Sequence, residues 1–359
     1  MKNLLKAALI LVLASSMAFA ILPRVSVFAP PDTSINMGGV GNIIAGVDVD
    51  GDGAKEIYLV NDNWRDTDRG ELIPRIYKLE RAVGETEYSV VWEANAQDFD
   101  PTITQNTWPT LSLTDLDDDG KMELTWGIVN AGSGNPYRIW VYEHVGGDNF
   151  GIEYDGKWEP HSVYQIADTD GKNIRPVSWD ITDIDDDGVD EIIFASRKSD
   201  LTFGICSVDD IPDGGDGTET WTMEFSQADV VDYGADNKWD VATIGNATYL
   251  FDEVKISKVE WTGSVYAYSE MDPLPGGVTF DASQVCDVDD DGAEEILTAE
   301  YRYSGASRNI WLLEEEDDTL KRTPLFDIAG PNYLNGGRVC GGDQGDIDGD
   351  GNVDFIFGL

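Results

Sequence analysis

Short apolar runs separated by polar loops are the dominant pattern along this chain. Five of the runs, at residues 57–60, 124–126, 192–194, 296–297 and 355–357, are rich in β-branched and aromatic side chains. Similar runs lie upstream of the loops, for example at residues 42–45 and 111–113. Runs of this length and composition predict buried β-strands rather than helices. Each polar loop is therefore expected to connect two strands of a hairpin.

A nine-residue acidic motif occupies five of these loops. Its copies begin at Asp48, Asp115, Asp183, Asp287 and Asp346, and each has carboxylates at positions 1, 3, 5 and 9 and glycine at position 6. Alternate side chains of a tight loop can converge on one point, and the carbonyl at position 7 adds a further oxygen. The glycine permits the sharp bend. Such a set of hard oxygen ligands suits calcium better than a softer metal.

The motif predicts about five calcium ions held by twenty carboxylates. The predicted ligands are Asp48, Asp50, Asp52, Glu56, Asp115, Asp117, Asp119, Glu123, Asp183, Asp185, Asp187, Glu191, Asp287, Asp289, Asp291, Glu295, Asp346, Asp348, Asp350 and Asp354. Without a cation, four carboxylates so close together would repel one another. For a single copy, an Asp-Gly turn that binds nothing is an equally good interpretation. Five copies in register favour the calcium interpretation.

Position 12 separates this motif from the EF-hand. An EF-hand loop requires a bidentate glutamate at that position and a helix on each side. The residues found there are Leu59, Trp126, Phe194, Thr298 and Phe357. A helix-flanked calcium site is therefore disfavoured, and we expect the metal to clamp a hairpin.

The spacing of the motifs indicates a repeated unit, one copy of which has lost its acidic loop. The interval between Asp183 and Asp287 is much longer than the other intervals. Within it, residues 238–243 match residues 178–183, and Gly245-Asn246 stands where the loop is expected. Gly-Asn is a suitable two-residue hairpin turn. This fourth unit is predicted to keep its strands without a metal site.

Repeats of this length with about four strands each predict an all-β fold, a β-propeller of four-stranded blades. In the first unit the strands are expected near residues 42–48, 56–60, 75–79 and 88–93. About six blades are visible, and the last is incomplete because the chain ends after its second strand. Residues 24–28 are predicted to form an outer strand without a blade of its own. Pairing both termini would give a three-stranded closing blade; we favour a propeller domain, residues 21–359, that is truncated at its C-terminus.

At this point the chain resembles the FG-GAP/VCBS repeat proteins, whose propeller is similar to that of integrin α-subunits. The resemblance covers residues 24–359 and rests on the recurrence of D-x-D-x-D-G-x-x-D/E at blade spacing. The chain departs from the family pattern in having glutamate at position 9 of four loops, a fourth unit without a metal loop and a short sixth blade. The resemblance implies calcium-stabilised blades and extracellular recognition, but it identifies no ligand.

We therefore expect a secreted or cell-surface calcium-binding module that recognises or adheres to an extracellular carbohydrate or protein. Two alternatives stay open: a polysaccharide-active lyase or hydrolase on the same scaffold, and a structural repeat region of a larger surface protein. Recognition is favoured over catalysis because the chain has only two histidines, His144 and His161, both near strand ends. With 69 acidic residues, any chosen pair of catalytic carboxylates would be arbitrary.

Composition agrees with export. Residues 1–20 carry Lys2 and Lys6, an apolar stretch at residues 7–13 and an Ala-Phe-Ala cleavage site, which together predict a signal peptide. The rest of the sequence contains no stretch suited to membrane insertion after cleavage. The formal net charge of −45 disfavours nucleic acid as a partner.

Three cysteines and one loop tryptophan complete the candidate residues. Cys206, Cys286 and Cys340 are expected to be buried unpaired thiols, with a Cys286–Cys340 bridge as the alternative. Trp64 lies in a long polar loop between two predicted strands. An aromatic side chain there can stack on a sugar or anchor a protein partner, although packing back onto its own blade is the favoured interpretation.

Overall fold

A computed structural model gives the architecture of most of the predicted repeat region. It describes residues 39–62, 73–81, 87–103, 109–128, 136–166, 175–197, 203–227, 240–252, 255–271, 279–288, 292–301, 309–316, 319–327, 341–345 and 354–358. The predicted signal peptide, the predicted strand at residues 24–28, Trp64 and Cys340 lie outside these ranges. The protein is all-β, and its strands form a β-propeller.

Blade one is a four-stranded antiparallel sheet in which neighbouring strands are consecutive in sequence. Its strands are β1 (Gly39–Val47), β2 (Lys55–Asp62), β3 (Arg75–Arg81) and β4 (Ser89–Asn95). These bounds confirm the four strands predicted for the first unit. The apolar runs and the turn residues between them are sufficient to specify this meander, because antiparallel neighbours need only short connections.

Blade two repeats the plan with an insertion near its outer edge. Its strands are β5 (Thr110–Thr114), β6 (Glu123–Gly127), β7 (Ile139–Gly146) and β11 (Ser162–Tyr164); the insertion contains β8 (Asn149–Phe150), β9 (Ile152–Tyr154) and β10 (Lys157–Glu159). The sheet order is β5-β6-β7-β11, with β8 also paired to β7 and β9 paired to β10. A single-turn helix, α1 (Ala96–Phe99), precedes this blade. Across the residues described, no helix has the length and apolarity needed to cross a membrane.

Blades three to five are further four-stranded meanders, and a two-stranded sheet follows them. Blade three contains β12 (Arg175–Thr182), β13 (Glu191–Arg197), β14 (Phe203–Val208) and β15 (Trp221–Gln227). Blade four contains β16 (Asp240–Ile244), β17 (Ala247–Phe251), β18 (Ile256–Trp261) and β19 (Tyr266–Met271). Blade five contains β20 (Thr279–Cys286), β21 (Glu295–Tyr301), β22 (Asn309–Glu316) and β23 (Thr319–Asp327), and the last pair is β24 (Gly341–Gly345) with β25 (Asp354–Gly358).

The fourth unit has the structure expected for a repeat that has lost its acidic loop. β16 and β17 pair from Asp240 with Phe251 to Ile244 with Ala247. Gly245 occupies the tight turn with φ +54, a backbone conformation that glycine adopts without strain. The prediction of a hairpin at this position is confirmed. The described strands amount to five four-stranded blades and one pair, so the number of blades in the whole ring stays a prediction.

Consecutive blades are joined through their first strands, which lie innermost. β1 contacts β5, β5 contacts β12, β12 contacts β16, β16 contacts β20, and β20 contacts β24. Side chains tie these strands together: the backbone N–H of Thr243 donates to Asp180 at 3.1 Å, and that of Ser283 donates to Asp240 at 2.8 Å. The inner strands thus surround a common centre, which is the arrangement of a propeller.

Apolar cores fill the seams between neighbouring blades. In the seam between blades one and two, Trp126 and Trp140 meet edge to face with ring centroids 5.8 Å apart, and Phe99 approaches Trp140 at 5.0 Å. Equivalent seams bury Val141 and Phe194 in one apolar cluster and Leu250 and Phe203 in another. Because each sheet buries both faces against neighbours, the strands read as continuous apolar runs rather than alternating ones.

Gly204 allows close packing within blade three, and we expect Gly204→Ala to destabilise the protein. A Cβ at residue 204 would lie 2.5 Å from Cζ of Phe194, whose ring is fully buried on the paired strand. Overpacking of this kind costs about 1–3 kcal/mol of unfolding free energy, measurable by denaturant titration. Gly214→Ala is the matched control, because a Cβ there meets no atom within 4 Å. Equal unfolding midpoints for the two variants would contradict the prediction.

Candidate metal centre

The acidic loops share one backbone conformation. We call them loop one (residues 48–56), loop two (115–123), loop three (183–191), loop four (287–295) and loop five (346–354). At position 6, Gly53, Gly120, Gly188 and Gly292 all have φ between +90 and +94. Glycine is suited to this left-handed region because it has no Cβ. The turn therefore requires glycine at position 6, as the sequence indicates.

Two hydrogen bonds recur in the loops and fix the carboxylates at positions 1 and 9. In loops two, three and four the aspartate at position 1 accepts from the N–H of the glycine at 2.9–3.0 Å. The glutamate at position 9 accepts from the N–H at position 2: Leu116 donates to Glu123 at 2.6 Å, and Ile184 donates to Glu191 at 3.0 Å. Loops one and four show the same bond to Glu56 and Glu295. These bonds hold the loop closed and orient the acidic side chains.

Carboxylates from positions 1, 3 and 9 converge in loops one, two and three. In each loop, one oxygen from every member of the cluster lies within 4.8 Å of the others. The clusters are Asp48, Asp50 and Glu56; Asp115, Asp117 and Glu123; and Asp183, Asp185 and Glu191. The structure thus brings positions 1, 3 and 9 of these loops together, while their role as metal ligands stays a prediction.

Buried oxygens without a partner distinguish loops two and three. The unpartnered atoms are Oδ1 of Asp115, Oδ1 of Asp117, Oε1 of Glu123, Oδ1 of Asp185 and Oε1 of Glu191. The side chains of Glu123 and Glu191 are fully buried, so these oxygens have no access to water. A buried carboxylate oxygen without a donor is costly unless a cation or a proton satisfies it. The clusters therefore have the donor set and the unmet charge of a cation site.

The raised pKa values of the two buried glutamates are also those expected of a cation site without its cation. Burial raises the pKa of Glu123 to about 9, and the charges of Asp117, Asp115 and Glu143 add to this increase. The hydrogen bond from the N–H of Leu116 acts in the opposite direction and lowers the pKa. Burial and the charge of Glu224 raise the pKa of Glu191 to about 8. Burial also raises the pKa of Asp117 and of Asp185 above the ordinary aspartate value. Without a cation, these sites favour protonation of their own ligands.

Position 5 is not a member of the clusters formed by positions 1, 3 and 9. The side chains of Asp52, Asp119 and Asp187 each accept from the N–H two residues further on, at 2.7, 2.8 and 2.9 Å. These are Asx turns, which short acidic side chains form readily. The sequence predicts that position 5 converges with the other three ligands, whereas here its carboxylate closes the loop backbone.

Loops four and five are described only in part. Asp287 and Glu295 make the two recurring hydrogen bonds, which places positions 1 and 9 of loop four as in the other loops. Asp289 and Asp291 lie outside the described residues, as do Asp346, Asp348 and Asp350. Asp354 begins β25. Their role as calcium ligands stays a prediction.

Two lysines enter the acidic region, and sequence reasoning missed both. Nζ of Lys78 lies 3.4 Å from Asp50, 3.3 Å from Glu56 and 2.9 Å from Asp148. Nζ of Lys121 lies 2.6 Å from Asp119, 3.0 Å from Glu143 and 2.7 Å from Asp213. The signal for Lys78 was a lone cation inside the apolar run of β3, where a buried charge requires an acidic partner.

The two histidines have structural contacts. Nδ1 of His161 accepts from the N–H of Glu143 at 3.2 Å, and burial lowers the pKa of the imidazole. The ring of His144 packs against Phe150, with centroids 5.1 Å apart, and its Nε2 lies 2.8 Å from the carbonyl oxygen of Gly147. Cys206 is a buried free thiol, as predicted, whereas Cys286 is free but only half-buried. These contacts fit the structural roles expected from the sequence.

A cavity of about 410 Å³ lies between the inner strands. It is lined by residues 42–45, 111–114 and 179–181 and by Gln344. Asp180 is the carboxylate of this lining. Burial raises the pKa of Asp180, although the hydrogen bonds from Thr243 and Ile181 lower it. Because both oxygens of Asp180 accept backbone N–H groups, this carboxylate ties blades three and four together.

The sequence matches no protein-family model and no curated protein. Solved structures give distant likenesses. A putative 6-phosphogluconolactonase from Bacteroides uniformis aligns with TM-score 0.40 and 10% identity over 75% of this chain and 67% of that one. An exo-β-1,3-galactanase from Phanerochaete chrysosporium aligns with TM-score 0.39 and 11% identity over 76% of this chain and 58% of that one. A GH43_1 enzyme from Xanthomonas citri aligns with TM-score 0.37 and 14% identity over 87% of this chain and 97% of that one. This chain thus spans little more than half of the galactanase. At such scores the likenesses carry no argument about its function.

Proposed function

We propose that this protein is a calcium-binding β-propeller in which the metal stabilises the hairpin between the first two strands of a blade. The observation that carries the proposal is the cluster of two aspartates and one buried glutamate in loops two and three, with five buried carboxylate oxygens unpartnered. Carboxylate oxygens in a flexible loop suit calcium, whereas magnesium demands a stricter octahedron and retains its water. The FG-GAP/VCBS resemblance of the loops supports the same metal.

The wider role that we propose is recognition or adhesion at or outside the cell surface. The predicted signal peptide and the net charge of −45 support export and a soluble, acidic surface. A rigid ring of blades presents its connecting loops as a binding face, and calcium in the hairpins would keep that face ordered. The partner class is an extracellular carbohydrate or protein. A further alternative that we propose is a structural repeat region within a larger surface protein, which would use the same calcium sites.

A polysaccharide-active enzyme is the main rival. The central cavity and the buried carboxyl of Asp180 are the features that favour it, since a glycosidase uses a pair of carboxylates beside the scissile bond. However, Asp180 and Asp240 both accept backbone N–H groups of the next blade, which occupies the oxygens that catalysis requires. A glycan array combined with an assay for released oligosaccharides separates the two functions: binding without release supports recognition, and release supports the rival.

Replacement of one buried glutamate is expected to remove one calcium ion. Glu123→Gln and Glu191→Gln each retain the size of the side chain but remove a charge that the metal requires. Isothermal titration calorimetry on the full chain should show at least three sites in the native protein and one fewer in each variant. Asp118→Asn and Asp186→Asn are the controls, because these exposed residues lie at position 4, outside the clusters, in a left-handed conformation that asparagine tolerates.

The same titration contains the outcome that would end the proposal. A native protein that takes up no calcium, or glutamine variants that bind as many ions as the native protein, would show that the clusters are not metal sites. Fewer ions in the controls as well would place the metal elsewhere in the loops.

A further inference from the structure

Loop one differs from loops two and three in containing a cation supplied by the chain itself. Lys78 lies in the middle of β3, paired with Tyr58 of β2, and its side chain is fully buried. Its ammonium group contacts two members of the loop-one cluster, Asp50 and Glu56, and reaches Asp148 in the neighbouring blade. It therefore places a positive charge against the carboxylates proposed to bind calcium.

The same sheet position is apolar in the other two blades with complete clusters. Strand pairing places Val141 of β7 and Ile205 of β14 where β3 has Lys78. Accordingly, loops two and three have buried carboxylate oxygens without a partner. Among the described atoms of loop one, by contrast, no carboxylate oxygen is buried and unpartnered. In loop one, the ammonium group of Lys78 thus neutralises part of the negative charge that stays unmet in loops two and three.

Blade four provides an internal comparison. Lys258 of β18 pairs with Tyr249 of β17, as Lys78 pairs with Tyr58, but this blade has no acidic loop. Nζ of Lys258 instead lies 2.5 Å from Glu315 of blade five and 3.3 Å from Glu260. A buried lysine on the third strand of a blade can therefore be accommodated by carboxylates across the seam. Lys78 contacts two members of a cluster proposed to bind calcium, whereas Lys121 contacts Asp119 of its loop, outside the cluster of Asp115, Asp117 and Glu123.

We infer that Lys78 acts as the resident counter-ion of loop one, which makes this loop the weakest calcium site of the three and keeps it closed without metal. The inference rests on the proposed function. A calcium ion among Asp48, Asp50 and Glu56 would share two ligands with the ammonium group and be repelled by it at short range. To bind the metal, Lys78 has to withdraw towards Asp148. In the described part of the chain, the clusters of loops two and three keep unpartnered carboxylate oxygens, and we expect them to depend on calcium for neutralisation.

Hydrogen–deuterium exchange on the native protein tests, without a substitution, whether loop one stays closed when no metal is bound. The informative amides are those bonded to the carboxylates: Val49 in loop one, Leu116 and Gly120 in loop two, and Ile184 and Gly188 in loop three. Chelation is expected to speed exchange in peptides covering loops two and three by tenfold or more and to leave loop one nearly unchanged. Equal acceleration in all three loops would overturn the inference.

The substitution Lys78→Met tests whether the ammonium group of Lys78 weakens calcium binding by loop one. Removing the ammonium group should tighten the weakest of the observed calcium sites at least tenfold in a titration against a competing chelator. Lys258→Met is the control, since it removes the same charge from a buried lysine on the third strand of a blade without an acidic loop, and it should leave every calcium affinity unchanged. If Lys78→Met binds calcium as the native protein does, or if both variants tighten the site equally, the inference is wrong.

The two experiments separate this inference from the proposed function. A native protein that binds no calcium refutes the proposed function. Binding of several ions, with loop one as dependent on calcium as the other loops, refutes only the role of Lys78. If Lys78→Met does not fold, the exchange experiment on the native protein still decides between the outcomes.

Discussion

Transfer of the protein from excess calcium into chelator is expected to lower its free energy of unfolding by about 5 kcal/mol, the sum over the sites of loops two and three at a free calcium concentration near a hundred times Kd. A domain is typically stable by only about 5–15 kcal/mol, so this loss would leave the fold marginal. The physical reason is that the buried clusters of loops two and three keep unpartnered carboxylate oxygens when no cation is bound. Thermal or denaturant unfolding in calcium and in chelator measures the difference.

Magnesium at the same concentration is the control for ionic strength. Because magnesium keeps its water and requires near-ideal octahedral geometry, it should restore little of the lost stability. Identical unfolding curves in calcium and in chelator would exclude a structural role for the metal. Equal restoration by magnesium would indicate charge screening instead of a specific site.

Calcium affinity is expected to rise steeply with pH between about 5 and 9, by up to about tenfold per pH unit for each of loops two and three. The cause is the raised pKa of Glu123, about 9, and of Glu191, about 8. Below these values, each glutamate holds a proton in the calcium-free fold, and calcium must displace it. Calorimetry in two buffers of different ionisation enthalpy should detect release of about two protons at pH 7.

The stability of the calcium-free protein should show the opposite dependence on pH. An unfolded glutamate loses its proton near pH 4.3, whereas the folded glutamates retain theirs to about pH 8 or 9. In this window the folded state binds more protons than the unfolded state, so stability falls as pH rises. Saturating calcium should cancel this trend. A double variant, Glu123→Gln with Glu191→Gln, should lose both the proton release and the trend, and their persistence would contradict the assignment.

The strands and turns were accessible from sequence because their signals are local. Four apolar runs predicted β1 to β4 to within a few residues, and Gly245-Asn246 identified the hairpin of blade four. Glycine at position 6 of the acidic motif predicted a bend that the backbone makes with φ of about +90 at Gly53 and Gly120. In each case a few adjacent residues suffice, since backbone sterics and side-chain alternation act over short stretches.

The composition of each metal cluster was only partly accessible. The motif gives equal weight to its carboxylates at positions 1, 3, 5 and 9, yet Asp119 contacts its own loop backbone and Lys121 and is not part of the cluster of Asp115 and Glu123. An Asx turn and a convergent ligand use the same residue type at the same spacing. The loop conformation and its neighbours decide between them.

The sequence by itself determined an all-β repeat protein with acidic hairpin loops, because periodicity, turn glycines and motif spacing are properties of neighbouring residues. Only the tertiary structure decided which carboxylates meet and which cations they meet. Lys78 is separated from Asp50 by 28 positions and from Asp148 by 70, yet it touches both. The strand register of blade one and its packing on blade two bring these charges together, and electrostatic energy depends on distance through space.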